Sequence, residues 1–187
     1  MNSTVAEKPS VKVSEFVPKS VEQTREWVLE RISREQSIRI SGNRTSIQSE
    51  HVRDDENQGL SVSTRALKKI HFFDPDDLVA GMEAGQTAAE LQQLLGEKNM
   101  QLAINPWYPE STLGGMVSAN TSGPNRMNMG GLRDSLIGIE YINAKGERVK
   151  AGGKVVKNVT GYDLTRMMIG HLGGLGLITS VNFKVQP

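Results

Sequence analysis

From Gly114 to Gly176 the chain carries 14 of its 19 glycines, and only five lie in the 113 residues before them. Glycine destabilises regular structure, so such a cluster marks tight turns or a backbone held close to something else. One long stretch, "TLGGMVSANTSGPNRMNMGGLRD" at 112–134, has a glycine pair at each end and small polar residues between. It offers Thr112, Ser118, Asn120, Thr121 and Ser122 as donors and acceptors, without an aliphatic run to bury. One reading is a loop-rich protein whose glycines merely make turns. The other is a ligand, because amides of consecutive glycines can surround an anion or a polarised heterocycle that no side chain blocks.

Composition narrows the ligand class. A chain of 187 residues buries roughly 70% of its unfolded surface, enough for one core or two small coupled lobes. Its 22 basic and 21 acidic residues leave +1, which gives no electrostatic footprint for nucleic acid or an anionic membrane. With no cysteine there are no disulfides, thiolate zinc sites, cysteine-held iron–sulfur clusters or thiol nucleophile. His51, His71 and His171 stand too far apart for metal-ligand spacing, so no metal site is expected. "MNSTVAEKPSVKVSEF" has no apolar signal core and nothing approaches a membrane span, so a soluble, cytoplasmic protein is expected.

The pattern predicts two lobes after a polar tail at 1–19, loose up to about Val17. "SVEQ" at 20–23 reads as a capping box, and Val21, Val28 and Ile32, with Trp27, predict a helix to about Arg34. "SIRIS" at 37–41 alternates as a strand, "EHVRDDENQG" is a charged loop, and a strand returns near 60–63. These make a small βαβ-like lobe over 20–70. The larger lobe, 71–187, opens with an alternating strand in "DLVAGMEAG" at 77–85. "TAAE" at 87–90 caps a helix to about Lys98 carrying Leu91, Leu94 and Leu95. "LIGIEYINAKGERVKAGG" has the form of a hairpin turning at 144–146. Asp163 caps a short helix, and "GLITSVNFKV" is a last strand. Strands and helices mix without strict βαβ repetition, so the fold class is α+β.

A second donor-rich loop, "SGNRTS" at 41–46, follows a strand and carries the cation Arg44. Two such loops on two lobes suit a phosphorylated ligand, one holding charge and the other a ring system. There is no G-x-x-x-x-G-K-[ST] and "GNRTSIQ" is not G-x-G-x-x-G, so neither a Walker loop nor a Rossmann site is supported. "GGLG" at 173–176 has the wrong context for either.

Five segments in order carry a resemblance: "IRISGNRTS", "DLVAGMEAGQTAAELQQLL", "PESTLGGMVSANTSGP", "GLRDSLIGIEYINAKGE" and "KNVTGYDLTRMMIGHLGGLGLITSVNFKV". Together they span about 38–186 and resemble the PCMH-type FAD-binding domain of the vanillyl-alcohol oxidase family, nearest the FAD-binding subunits of glycolate and other 2-hydroxy-acid oxidases. The resemblance implies two α/β lobes with FAD between them. It matches Ser41, Gly42, Asn43, Arg44 and Thr45 to the loop that wraps the FAD pyrophosphate. Pro109, Thr112, Gly114, Gly115, Ser118, Asn120 and Ser122 match the segment beside the flavin and its ribityl chain. Gly176 and Ile178 match the turn and strand that meet the adenosine side. Partner oxidase and iron–sulfur subunits are implied too.

Several matched residues also have plainer readings. Arg133–Asp134 reads as a turn cap, Asp163 of "GYDL" as a helix cap beside Tyr162, Met127 and Met129 as gap-fillers, and Lys154 and Lys157 as solvated. His171 stands where relatives often carry a small residue, and a place near the cofactor is one reading of it. The chain departs from the family in two ways. It has no cysteine and no histidine in either loop, so FAD is expected to bind non-covalently. It also stops at "FKVQP", where relatives continue into a cap domain that completes the substrate pocket; an isolated chain without one is expected to oxidise 2-hydroxy acids poorly. The leading expectation is a flavoprotein module passing hydride from a 2-hydroxy acid to flavin N5, the substrate being held by the missing domain or a partner chain. The alternatives are a non-catalytic FAD-carrying subunit of such a complex, a UDP-N-acetylenolpyruvoylglucosamine reductase type, and a degenerate domain that binds nothing.

Overall fold

The computed structural model describes residues 15–46, 60–154 and 163–187. The charged loop at 50–59, with His51, and the positions of Lys157 and Tyr162 lie outside the described residues.

A three-stranded parallel sheet is built from β1 (Glu15–Phe16), β2 (Ile38–Ser41) and β3 (Leu60–Ser63), in the order β1-β3-β2. Helix α1 (Val21–Ser33) links β1 to β2, the two parallel strands that flank β3. Ser20 Oγ accepts from the Gln23 N–H at 3.1 Å, but Gln23 Oε1 accepts from the Lys19 N–H at 2.8 Å rather than from Ser20. Only half of the expected capping box forms. The stretch expected to be loose up to Val17 contains β1, and Phe16 stacks on Trp27 with ring centroids 5.2 Å apart. The apolar stripe that shapes α1 is what holds the entry strand.

The five-stranded sheet is antiparallel throughout, in the order β4-β5-β8-β6-β7. Its strands are β4 (Ile70–Asp74), β5 (Val79–Glu83), β6 (Leu136–Ile142), β7 (Arg148–Gly152) and β8 (Leu177–Lys184). β4 is absent from the sequence expectation. β8, last in the chain, takes the central place, and β5 beside it is buried on both faces. Glu83 ends β5 inside, its carboxylate accepting from the Lys69 N–H at 2.8 Å. Gly146 turns the β6–β7 hairpin at φ 74°, within the expected 144–146.

Helix α2 (Ala88–Gly96) has the full capping box, Thr87 Oγ1 accepting from the Glu90 N–H and Glu90 from the Thr87 N–H. It ends at Gly96, two residues before the expected Lys98. Helix α3 (Leu113–Ala119) occupies the stretch read as a glycine loop, and Leu113, Met116 and Val117 are fully buried there. Short helices α4 (Arg126–Met129), α5 (Leu132–Ser135) and α6 (Leu164–Met167) complete the described set. Asp163 caps α6 as expected, accepting from the Arg166 N–H. Asp134 accepts from the Gly131 N–H at 2.8 Å, the structural role expected of Arg133–Asp134. Met127 is 91% exposed and fills no gap, contrary to expectation. Lys154 is exposed, its ammonium 4.8 Å from the centre of the Phe72 ring.

Two apolar clusters hold the molecule. The larger packs α2, α3 and α6 against the antiparallel sheet around Met82, Leu91, Met116, Ile139 and Phe183. The smaller joins Trp27 and Val28 of α1 and Val62 of β3 to Ile142 and Leu177 of the antiparallel sheet. Arg25 Nε donates to the Gly146 carbonyl at 2.9 Å across the same junction.

Candidate functional site

A cleft of about 290 Å³ opens where the two sheets meet. Its first wall is the carboxyl end of β2 with the loop behind it, Ile40 to Ser46, together with Thr64 just after β3. Ligands of open α/β sheets commonly sit outside the carboxyl ends of parallel strands, where loops supply main-chain donors. The second wall is α3, through Thr112, Gly114, Gly115, Ser118 and Ala119, and the third is His171, Leu172, Gly173, Gly176 and Ile178.

The loop 42–46 is braced by side chains. Asn43 Nδ2 donates to the Glu110 carbonyl at 2.8 Å, Thr45 Oγ1 shares a 2.7 Å hydrogen bond with Ser111 Oγ, and Ser63 Oγ donates to the Gly42 carbonyl. Arg44 takes a left-handed backbone, φ 57°, which bends neighbouring N–H groups toward one side. Among the described residues no partner is found for the main-chain N–H of Asn43, Arg44 or Thr45. Main-chain N–H groups beside a left-handed residue are of the kind that suits an anion. The loop's cation is not idle: Glu15 accepts from Arg44 at 2.8 Å and from Arg65 at 2.6 Å.

The glycines at 114 and 115 have different uses. A Cβ on Gly114 would sit 2.9 Å from Ala84 Cβ, so that glycine lets α3 lie against the end of β5. A Cβ on Gly115 would meet only Thr112 Oγ1, at 2.9 Å, within 4 Å; its other surroundings are the cleft. The amides are not free as the sequence reading supposed. Gly114 N–H donates to the Ala84 carbonyl and Gly115 N–H to Thr112 Oγ1. What α3 offers is bare surface, the shape a flat ring can lie on. Gly42 approaches from the opposite wall so closely that a Cβ would fall 2.0 Å from Thr112 Oγ1.

The third wall is sewn to the second. Gly170 and Leu172 N–H donate to the Val117 and Ser118 carbonyls, at 2.9 and 3.0 Å. His171 Nδ1 accepts from the N–H of Gly173 at 3.1 Å and of Leu175 at 3.3 Å. Its Nε2 is buried with no hydrogen-bond partner. Burial pushes the imidazole pKa below its ordinary 6.5, so the ring is neutral at neutral pH.

The structure brings eleven of the matched residues to this one cleft: Ser41 to Thr45, Thr112, Gly114, Gly115, Ser118, Gly176 and Ile178. The other three are elsewhere. Pro109 is exposed, its carbonyl accepting from the Ala89 N–H. Asn120 is the exposed left-handed C-cap of α3, φ 54°, and Ser122 is buried against α5, accepting from the Leu132 N–H. Sequence reasoning missed Ile40, Thr64, Ala119, Leu172 and Gly173. Ile40 and Ala119 adjoin matched residues, Leu172 and Gly173 follow His171, and Thr64 is brought in by the fold alone.

A family model described as "FAD binding domain" matches residues 15–152. The chain is 35% identical over 131 residues to glycolate oxidase subunit GlcE of Escherichia coli (strain K12), covering 69% of this chain and 37% of that protein. It is 32% identical to glycolate oxidase subunit GlcD of Bacillus subtilis (strain 168), covering 69% and 28%. A D-2-hydroxyglutarate dehydrogenase of Stutzerimonas stutzeri (strain A1501) is 27% identical over 90% of this chain and 36% of its own length. The chain thus spans about a third of the length of these relatives. Among solved structures an alkyldihydroxyacetonephosphate synthase shares the fold, with a TM-score of 0.77 at 23% identity, over 92% of this chain and 31% of that one.

Proposed function

This chain belongs to the FAD binding domain family, and from that premise we propose that the cleft holds FAD non-covalently, as one module of a 2-hydroxy-acid oxidoreductase. The single observation that carries the reading is the pairing of a donor-bearing loop at 42–46 with the bare Gly115 face across one cleft. A diphosphate suits the first and a flat ring the second. In this reading the lobes divide near residue 70, with Ser41 to Thr45 on the pyrophosphate. Thr112, Gly114, Gly115 and Ser118 lie beside the flavin, and Gly176 and Ile178 toward the adenosine. When bound, the flavin supplies the hydride acceptor for oxidation at the α-carbon of the substrate. The chain itself binds, orients and screens the cofactor. Arg44 and His171 are the only ionisable side chains on the cleft wall among the described residues. Substrate binding and proton removal are accordingly assigned to other segments or chains, consistent with relatives named as glycolate oxidase subunits.

That same shortage of acid and base groups favours a second reading, an FAD-carrying, electron-relaying subunit whose partners oxidise substrate. No described helix is long and apolar enough to cross a membrane, and we place the module in the cytoplasm. Mixing the FAD-loaded chain anaerobically with glycolate or D-lactate, with and without partner chains, separates the two. Bleaching that needs partners supports the relay reading, and bleaching by the chain alone would place a substrate pocket within it and overturn the assignment of substrate binding to other segments or chains. The flavin is expected to leave on acid precipitation and to be FAD by chromatography; colour staying with the pellet overturns the non-covalent assignment, and no FAD uptake overturns the proposal.

Arg44→Ala is expected to weaken FAD about tenfold, since a charge-assisted hydrogen bond to phosphate is worth about 1.5–3 kcal/mol and Glu15 already occupies part of that charge. Isothermal titration of FAD checks this. An unchanged dissociation constant places Arg44 off the phosphates.

A further inference from the structure

We propose that Glu15 sets the cofactor affinity of the cleft by competing with the phosphates of FAD for Arg44. The inference rests on the FAD reading and goes beyond it.

The polar side chains of loop 41–45 divide into two kinds. Asn43 and Thr45 bind the Glu110 carbonyl and the Ser111 hydroxyl, neutral groups that brace the loop. Ser41 and Arg44 both turn to one carboxylate. Glu15 Oε1 accepts from Ser41 Oγ at 3.2 Å and from Arg44 Nη2 at 2.8 Å. The other oxygen, Oε2, accepts from Arg65 Nη1 at 2.6 Å.

Glu15 is the fixed member of this group. It lies in β1, paired with Ser61, and its side chain is 17% exposed, against 53% for Arg44 and 48% for Arg65. Arg44 is the movable one. Half of its side chain is open to solvent, on a residue that lines the cleft, so an anion bound at loop 42–46 can reach it. A guanidinium offers the same planar fork to a carboxylate and to a phosphate, which makes the two anions rivals for it. Arg65 is not on the cleft wall, and it keeps Oε2 when Arg44 leaves, while Ser41 keeps Oε1. Glu15 is then not left as a bare charge beside the phosphates, the outcome that makes breaking a covered ion pair costly. What Arg44 adds to FAD binding is thus its hold on phosphate less its hold on Glu15.

Glu15→Gln keeps the length and a hydrogen-bonding oxygen but removes the rival charge. It is expected to bind FAD about threefold more tightly, the size of a half-exposed ion pair released. Arg65→Gln leaves Glu15 to lean on Arg44 alone and is expected to bind FAD about threefold more weakly. Because Arg65→Gln leaves β1 and Glu15 untouched, it carries the test should Glu15→Gln fail to fold. Each change acts through one guanidinium, so each is expected to vanish in an Arg44→Ala background, where a general effect of local charge would persist. Isothermal titration of FAD reads every variant. ADP, which has the diphosphate without the flavin, is expected to show the same shifts. Unchanged or weaker FAD binding by folded Glu15→Gln overturns this inference alone. So do wild-type affinity in Arg65→Gln, shifts that survive Arg44→Ala, and shifts that are absent with ADP. Failure of the unsubstituted chain to bind FAD overturns the FAD reading beneath it.

Discussion

Gly115→Val is expected to lower FAD affinity by a factor on the order of 100 or more while the protein stays folded. The new side chain has only Thr112 Oγ1 near its Cβ and would otherwise project into the cleft. It would stand where a ring system lies against the bare helix face. Stability changes little: valine is a better helix former than glycine by a few tenths of a kcal/mol, which offsets part of the crowding at Thr112. Gly114→Val is the control. Its Cβ would press on Ala84 Cβ at 2.9 Å and on the Ala84 carbonyl at 3.3 Å in the core, at a cost of about 1–3 kcal/mol. Thermal melts are expected to separate the two variants, Gly114→Val being the less stable. Full FAD affinity in folded Gly115→Val means that the cofactor lies elsewhere.

The second large effect belongs to Gly42→Ala. One methyl group would sit 2.0 Å from Thr112 Oγ1 and 3.1 Å from its Cβ and Cγ2. Either the 42–46 loop retreats or Thr112 turns away and releases the Gly115 N–H that it caps. We expect a loss of about 2 kcal/mol, about 4–8 °C in Tm for a chain of this length, together with at least tenfold weaker FAD binding. Thr112→Ala alone loses a helix cap, worth about 1 kcal/mol. Since it also removes the atom in the way, the double variant should cost less than the sum of the singles by more than 0.5 kcal/mol, a limit of roughly that size marking true coupling. Additive costs would mean that the two residues do not touch.

Elements set by local chemistry were legible. β2, β3, β5 and β8 show alternation, α2 carries its capping box in four consecutive residues, and the hairpin turns at Gly146. Elements set by distant partners were not. β1 is two residues long and exists through parallel pairing with β3, Glu15 against Ser61 and Phe16 against Val62, partners far along the chain that local sequence does not reveal. β4 is half exposed at the sheet edge and lacks a clean alternation. Helix α3 opposes its own glycines' propensity; the Thr112 cap, the left-handed Asn120 and burial of Leu113, Met116 and Val117 outweigh it.

That one missed helix also explains the site. An extended loop would let every second residue of 112–122 face the ligand. A helix sends Thr112, Gly115, Ser118 and Ala119 to the cleft and Leu113, Met116 and Val117 to the core. Asn120 and Ser122 fall past its end and do not line the cleft. The tautomer of His171 had no sequence signal at all, because it depends on which N–H groups the turn points at the ring.

The apolar junction of Trp27, Val28, Val62, Ile142 and Leu177 has a kinetic meaning. Because one core spans both sheets, the walls of the cleft behave as fixed jaws. Hinged jaws would have to surrender freedom each time they shut, and that loss would be subtracted from affinity. Fixed jaws surrender it once, during folding. In the proposed reading, cofactor traffic would run through the mouth, past the exposed Leu172 on the cleft wall, and not by the parting of two halves.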